Sequence, residues 1–166
     1  MTTIDRPARS RAVYFHDPAA PVPSAVVPSV FVAVRGVDGQ LLLVRRCDSG
    51  AWEMPGGRVD VGETAVEAAV RETAEEAGVR VEVIGIAGLF TDPGHVIRSP
   101  GGESRQQFAL LFRARCLGGV VPRGDLHETS EAAWVPLADL PRLAIESRVR
   151  RWITAALDVG SPPYLG

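Results

Sequence analysis

The stretch GRVDVGETAVEAAVRETAEEAGV, residues 57–79, decides how the rest of the chain is understood. It follows Gly56 and continues for about four helical turns before it reaches Gly78. Thr64 and Glu67 fit a capping box at the start of a helix, and Gly78 fits the left-handed position that ends one. The sequence therefore predicts a helix that begins after Thr64 and ends before Gly78.

The predicted helix has an apolar face and an acidic face. The apolar residues recur at helical spacing and are expected to be buried: Val66, Ala69, Val70, Thr73 and Ala77. Glu72, Glu75 and Glu76 are three and four residues apart, so they share the other side of the helix. Like charges in this arrangement repel by a few tenths of a kcal/mol for each exposed pair. The cluster therefore needs a physical explanation.

A solvated acidic surface and a metal site are the two explanations for these carboxylates. The acids lie near the C-terminal end of the helix, where the helix dipole disfavours anions, and this placement favours a functional role. Glutamate oxygens are the ligands that Mg²⁺ or Mn²⁺ prefers, with water or a substrate phosphate completing the coordination. Zinc is disfavoured because the sequence has no cluster of cysteines and histidines.

The remaining segments predict strands and a second helix. Residues 25–34 and 41–46 are expected to form a hairpin, followed by strands at 79–90, 106–116 and 132–135. The strand at 79–90 is expected to bend at Gly85 or Gly88. Residues 91–105 are expected to be a loop, and a short strand is expected at Val120 and Val121. Residues 144–157 have helical periodicity, with arginines such as Arg148 expected in solvent.

These segments predict a single α/β domain, with a mixed sheet and two main helices packed on it. We assign residues 25–160 to this domain. Residues 1–24 are rich in proline and are expected to form an extended arm, and residues 161–166 form a C-terminal tail. The arm is expected to pack on the body or on a partner chain, and a disordered tail is the alternative.

Length and charge exclude several classes of protein. A chain of 166 residues with a formal net charge of −2 is suited to one globular domain. The near-neutral charge argues against broad electrostatic binding to nucleic acid or to an anionic membrane. Because the sequence lacks both a secretory h-region and a membrane-length apolar run, we expect a cytoplasmic protein.

The acidic stretch resembles the signature of the Nudix hydrolases. The matching positions are Gly57, Glu63, Arg71, Glu72, Glu75, Glu76, Gly78 and Val79. Thr73 is the one departure, because the pattern has an aliphatic residue there. The resemblance extends to the preceding strands and to the general order of strands and helices. It implies an α/β/α sandwich and hydrolysis of a nucleoside diphosphate linked to another group.

The resemblance also implies roles for individual residues. Glu72, Glu75 and Glu76 would bind Mg²⁺ or Mn²⁺ beside the Gly57 carbonyl. Glu63 and Arg71 would orient those carboxylates. The carboxylate that accepts the proton of the attacking water differs within the family, and both Glu72 and Glu128 are candidates here. From the strand pattern alone, Arg45 or Arg46 could contact a substrate phosphate, because both end the strand before the site.

The substrate is less well defined by the sequence. A proline downstream of the signature, Pro93, favours ADP-ribose or a nucleotide sugar, and the absence of tyrosine in this region argues against dinucleoside polyphosphates. A nucleoside triphosphate pyrophosphatase and a non-catalytic nucleotide sensor are the alternatives. Relatives of this kind often form dimers, so a homodimer is possible by analogy.

Overall fold

The computed structural model describes residues 11–166. Ten strands are present in this part of the chain: β1 (Ala12–Phe15), β2 (Ala25–Arg35), β3 (Leu41–Arg46), β4 (Trp52–Glu53), β5 (Gly56–Arg58), β6 (Val81–Phe90), β7 (His95–Arg98), β8 (Ser104–Cys116), β9 (Thr129–Val135) and β10 (Tyr164–Leu165). The α-helices are α1 (Ala65–Ala77) and α2 (Ser147–Leu157), and a 3₁₀ helix covers Leu137–Arg142.

Strand β2 lies at the centre of the domain and is buried on both faces. Successive side chains of a strand point to opposite faces, so its continuous run of apolar residues supplies two cores at once. Phe31 and Ala33 pack in the core that contains α2, whereas Val30, Val32 and Val34 pack in the core that contains α1. The result is the predicted α/β/α sandwich, with a mixed sheet between two helices.

Helix α1 has both predicted caps. The Thr64 hydroxyl accepts the Glu67 N–H, and the Glu67 carboxylate in turn accepts the Thr64 N–H. Gly78 adopts φ 67°, the left-handed conformation that ends the helix. The predicted buried face was partly wrong, because Val66 and Val70 are exposed. The buried residues of α1 are instead Ala68, Ala69, Thr73, Glu76 and Ala77.

The predicted hairpin was wrong in its pairing. Strands β2 and β3 meet only at Arg35 and Leu41. Beyond that point β2 pairs in parallel with β8 along its whole length, and β3 pairs antiparallel with β9. The turn signal at residues 37–40 correctly marked a reversal of the chain. The partner of each strand is instead set by long-range pairing, which the local turn signal does not specify.

Three further expectations needed correction, and one was confirmed. Strand β7 lies inside the predicted loop 91–105, and no strand forms at Val120 and Val121. Arg148 is buried, where its Nε donates to Glu146 at 2.7 Å and its guanidinium lies 5.8 Å from the Trp152 ring centre. The predicted bends in β6 are confirmed by register shifts beside Gly85 and Gly88.

Both ends of the described chain add strands to the sheet. Within the predicted arm, β1 pairs antiparallel with β7, and residues 1–10 lie outside the described part. Within the predicted tail, β10 pairs in parallel with β6, and Tyr164 stacks on Phe90 with ring centres 4.6 Å apart. Neither helix in residues 11–166 has the length and apolar character needed to cross a membrane.

His95, the first residue of β7, gives a testable pH dependence. The side chain is buried between Phe15 and Trp152. Burial first, and then the nearby Arg148 and Arg11, lower the pKa of His95 to about 4. The unfolded chain therefore binds the proton more tightly, with a pKa of about 6.5. As a result, His95 costs stability as the pH falls from about 6.5 towards 4.

We predict that His95→Gln makes the protein less sensitive to acid. Between pH 7.5 and pH 4.5 the free energy of unfolding of the wild type should fall by about 2 to 3 kcal/mol more than that of the variant. Urea unfolding at several pH values measures this difference. Other groups titrate equally in both proteins and cancel in the comparison. Parallel pH profiles would show that His95 does not titrate in this way.

Candidate active site

The glycine pair Gly56–Gly57 brings the sheet against α1. Strand β5 pairs with β2, so that Gly57 faces Val30 and Gly56 faces Phe31. A Cβ at Gly56 would overlap the Val30 carbonyl oxygen, and a Cβ at Gly57 would overlap the Glu72 carboxylate. Only glycine allows both approaches. The Gly56 N–H then donates to Glu76 Oε2 at 2.9 Å, which ties β5 directly to the helix.

Glu76 is a buried carboxylate, and one of its two oxygens accepts no hydrogen bond within residues 11–166. Its residue is only 3% exposed, and burial raises its pKa to about 8 despite the hydrogen bond from Gly56. Among residues 11–166, no group donates a hydrogen bond to Oε1. The nearest cation, Nη1 of Arg46, lies 3.6 Å from Oε1, too far for a good hydrogen bond. Oε1 therefore keeps unused hydrogen-bonding capacity inside the protein.

Arg46 is the cation that contacts an inner group of carboxylates, namely Asp48, Glu53 and Glu128. It donates to both oxygens of Asp48, at 3.3 and 3.1 Å, and Nη1 donates to Glu128 at 3.3 Å. Its Nε also lies 3.6 Å from buried Glu53. Burial alone lowers the pKa of Arg46, but the surrounding carboxylates raise it above its usual range. Arg46 therefore stays charged.

Two members of this inner network were missed in the sequence. Glu53 looked like part of a short strand, and Arg11 fell inside the predicted arm. Arg11 Nη2 lies 3.4 Å from both oxygens of Glu53. No local signal indicates either contact, because Arg11 and Glu53 are 42 residues apart in the chain.

Arg71 donates hydrogen bonds to an outer group of carboxylates, namely Glu63, Glu72 and Glu75. It donates to both oxygens of Glu63, at 2.6 and 3.0 Å, and its Nη1 donates to Glu72 at 3.0 Å and to Glu75 at 3.1 Å. The hydrogen bonds from Arg71 are the main reason that the pKa of Glu63 falls to about 2. This geometry suits the orienting role expected for Arg71 and Glu63. The bidentate contact also fixes the direction of the guanidinium.

Glu72 and Glu128 face the same cavity, which has a volume of about 520 Å³. Burial raises the pKa of Glu72, while Arg71 lowers it and the negative charges of Glu75 and Glu128 raise it further. The backbone around Glu128 is fixed by Asp125, whose Oδ1 accepts the N–H groups of His127, Glu128 and Thr129, each at 2.9 Å. A loop acid is thereby held in one position at the cavity wall.

The structure does not bring all the predicted residues together. Arg45 points away from the cavity and donates to Glu131 at 2.9 Å, whereas Arg46 lines the cavity. Glu75 is 58% exposed at its side chain and contacts Arg71. Pro93, which favoured one substrate class, is exposed and does not line the cavity.

The oxygen donors of the carboxylates are of the kind that fits a divalent cation. Within residues 11–166, no three acidic, histidine or cysteine side chains already lie close enough to hold a metal ion. The Glu72 carboxylate, packed on Gly57, lines the cavity, and Glu76 contacts Gly56 and Arg46, which also line it. Both carboxylates are hard oxygen donors of the kind that Mg²⁺ prefers. A cation beside Glu76 would also remove the cost of burying that charge.

Comparison with known proteins identifies the family. The NUDIX domain model matches residues 26–156. A putative 8-oxo-dGTP diphosphatase from Bacillus subtilis is 36% identical over 121 residues, covering 73% of this chain and 74% of that protein. An ADP-ribose pyrophosphatase from Methanocaldococcus jannaschii is 35% identical over 121 residues, covering 69% of this chain and 67% of that protein. The chain therefore belongs to the Nudix family.

A third relative and a solved structure agree with this assignment. A MutT-like protein from Streptomyces ambofaciens is 36% identical over 108 residues, and the match spans 62% of its length and 63% of this chain. The crystal structure of a NUDIX hydrolase from Nitrosomonas europaea superimposes with a TM-score of 0.66 at 24% identity, covering 86% of this chain and 78% of that one. The chain is therefore a Nudix hydrolase, a class of enzyme that acts on phosphoric anhydrides.

We predict that Gly57→Ala displaces the Glu72 carboxylate. The added Cβ overlaps that group, so activity with Mg²⁺ should fall by about tenfold or more, as expected for a change that disturbs the support of a metal site. Circular dichroism should show a folded protein. The matched control is Gly119→Ala, because nothing lies within 4 Å of a Cβ at that position. Equal activity of the two variants would contradict the close approach of Glu72 and Gly57.

Proposed function

We propose that this protein hydrolyses the diphosphate linkage of a nucleoside diphosphate derivative, with ADP-ribose or a nucleotide sugar as the favoured substrate type. The observation that carries the proposal is Glu76 Oε1, a buried carboxylate oxygen with no hydrogen-bond donor among residues 11–166, on a residue that contacts Gly56 and Arg46 in the wall of the cavity that Glu72 also lines. Such an oxygen suits a cation-assisted reaction. The family assignment supports the same class of reaction.

The proposed metal ligands are Glu72 and Glu76, with Glu75 and the Gly57 carbonyl beside them. When bound, Mg²⁺ or Mn²⁺ would neutralise the diphosphate, lower the pKa of a water and stabilise the leaving oxygen. Arg71 would keep Glu72 and Glu75 oriented through the hydrogen bonds already described. Arg46 would supply a fixed positive charge near the inner carboxylates and the cavity, which favours an anionic substrate.

The chemical step breaks one phosphorus–oxygen bond. Water attacks one phosphorus of the diphosphate, the bridging oxygen leaves with the other phosphate, and a carboxylate accepts the proton of the water. We propose Glu128 for this proton transfer. Its side chain is 66% exposed and lies at the cavity wall, where water and substrate have access. Glu72 is the alternative, because its carboxylate lines the same cavity.

A second candidate substrate class is supported by the relatives. The Bacillus subtilis relative is named for a nucleoside triphosphate and the Methanocaldococcus jannaschii relative for ADP-ribose, at almost the same identity. Nucleoside triphosphate hydrolysis to the monophosphate and pyrophosphate is therefore the competing proposal. It uses the same carboxylates and differs in the group beyond the cleaved bond.

A substrate panel tests the proposal. With Mg²⁺ present, ADP-ribose, nucleotide sugars, deoxynucleoside triphosphates and diadenosine polyphosphates should be compared by chromatographic separation of their hydrolysis products. We expect the highest kcat/KM for a nucleoside diphosphate derivative, and no turnover with excess EDTA. Preference for triphosphates would select the second candidate. Tight binding of one compound without turnover would instead indicate a nucleotide sensor.

Glutamine variants separate proton transfer from metal binding. Glu128→Gln should lower kcat by about 10²–10⁴ and leave the affinity for Mn²⁺ unchanged, because general-base catalysis contributes that much. Glu76→Gln should lower both, since it removes a proposed ligand. Mn²⁺ affinity can be measured by electron paramagnetic resonance, and Glu131→Gln is the control, because Glu131 contacts Arg45 and does not line the cavity. If Glu128→Gln retains full activity, the proton acceptor is Glu72.

A further inference from the structure

Gln107 is a buried amide without a hydrogen-bond partner in the part of the chain that the structure describes. It is only 1% exposed, and both its Oε1 and Nε2 atoms lack a hydrogen-bond partner among residues 11–166. The side chain lines the same cavity as Glu72 and Glu128. On strand β8 it continues a row formed by Ala109 and Leu111, which pack in the core around α2. The row changes from apolar to polar where it reaches the cavity.

An unpaired amide in this position does not help the protein to fold. Burial removes the amide from water, and the cost is recovered only when both its donor and its acceptor find partners. A methionine of similar shape would pack there without that cost. The unpaired state is therefore explained by a ligand that makes these hydrogen bonds when it enters the cavity.

The surroundings of Gln107 indicate what kind of ligand it takes. Phe31, Ile97 and Pro100 give the cavity apolar walls, and Ser29 adds a hydroxyl. Arg105, two residues earlier on the same face of β8, has a buried Nε without a partner among residues 11–166. Its pKa is lowered by burial and by the positive charges of Arg58 and Arg11. These residues form a site that is apolar at its sides and offers hydrogen bonds at its floor.

The chemistry of the amide distinguishes a nucleobase from a phosphate. A phosphate oxygen accepts hydrogen bonds, so it would leave the Gln107 carbonyl oxygen unpaired. A nucleobase edge carries a donor beside an acceptor and pairs with both halves of an amide, as glutamine does with adenine in DNA recognition. The flat ring also suits the apolar walls.

We infer that Gln107 is a specificity-determining residue that binds the hydrogen-bonding edge of the substrate's nucleobase, with Arg105 donating to a further acceptor on the same ring. The inference rests on the proposed function, because the base belongs to the nucleotide whose diphosphate is cleaved. It places the base over Ser29, Phe31 and Gln107 and the diphosphate towards Glu72 and Arg46. The amide can rotate by 180°, so the site requires a base with an exocyclic group and does not by itself choose among such bases.

Binding of nucleoside 5′-monophosphates tests this inference without any hydrolysis. Isothermal titration calorimetry should compare the four natural ribonucleotides with two analogues, the 5′-monophosphates of purine riboside and pyrimidin-2-one riboside. These analogues lack the exocyclic group on the hydrogen-bonding edge, at position 6 of the purine and position 4 of the pyrimidine. In the wild type, the tightest natural ligand should bind at least about tenfold more strongly than its analogue, because losing the edge leaves the amide unpaired. In Gln107→Met this preference should fall to about threefold or less.

Gln106→Met is the matched control. Gln106 is the neighbouring residue on β8, does not line the cavity, and faces the opposite side of the sheet. It should keep the wild-type preference. The melting temperature of Gln107→Met should equal or exceed that of the wild type, since an unpaired buried amide has been removed.

The outcomes separate this inference from the proposed function. Equal binding of natural ligands and analogues by the wild type would overturn it, even if Gln107→Met fails to fold. A full preference retained by a folded Gln107→Met would also overturn it. Edge-dependent binding without hydrolysis of any anhydride would leave the inference standing and remove the proposed function. Hydrolysis of an anhydride, without any binding preference for natural ligands over their analogues, would leave the proposed function standing and overturn the inference.

Discussion

The close contact of Gly56 and Gly57 with β2 and α1 is the constraint on which the site depends. At Gly56 the backbone lies so near the Val30 carbonyl that no Cβ fits, and the same residue donates its N–H to Glu76. One dipeptide therefore fixes the distance between the central strand and the acidic helix. If this contact were longer, Glu76 would lose its hydrogen bond and the Glu72 carboxylate would lose its position against Gly57.

Two arginines then make a concentration of negative charge tolerable in the free protein. Arg71 contacts the outer group of Glu63, Glu72 and Glu75, and Arg46 contacts the inner group of Asp48, Glu53 and Glu128. Each guanidinium is planar and rigid, so it orients several carboxylates at once. The balance is incomplete at Glu76. Burial disfavours the charged form of its carboxyl group more than Arg46 and the Gly56 N–H favour it, so the pKa rises to about 8.

Local signals predicted the helix and its two ends well, because capping and helical spacing act over a few residues. The capping box at Thr64 and the left-handed Gly78 were both confirmed. Strand pairing was harder, since β2 pairs with β8 across 80 residues of chain at Ala25 and Arg105. The same limit hid the contact between Arg11 and Glu53, which are 42 residues apart in the chain. The prediction that Val66 and Val70 are buried was wrong, because the sheet packs against a different face of α1 from the one that their spacing indicated.

Unpaired buried polar atoms mark where the molecule departs from the rules of a well-packed core. Glu76 Oε1, Arg105 Nε and both Gln107 amide atoms lack partners within residues 11–166. Gln107 and Arg105 line the cavity, and Glu76 contacts Arg46 and Gly56, which also line it. Natural proteins retain such costs where binding requires them. The proposed nucleotide would supply these missing partners, because its anionic part would bring a cation to Glu76 and its base would pair with the Gln107 amide.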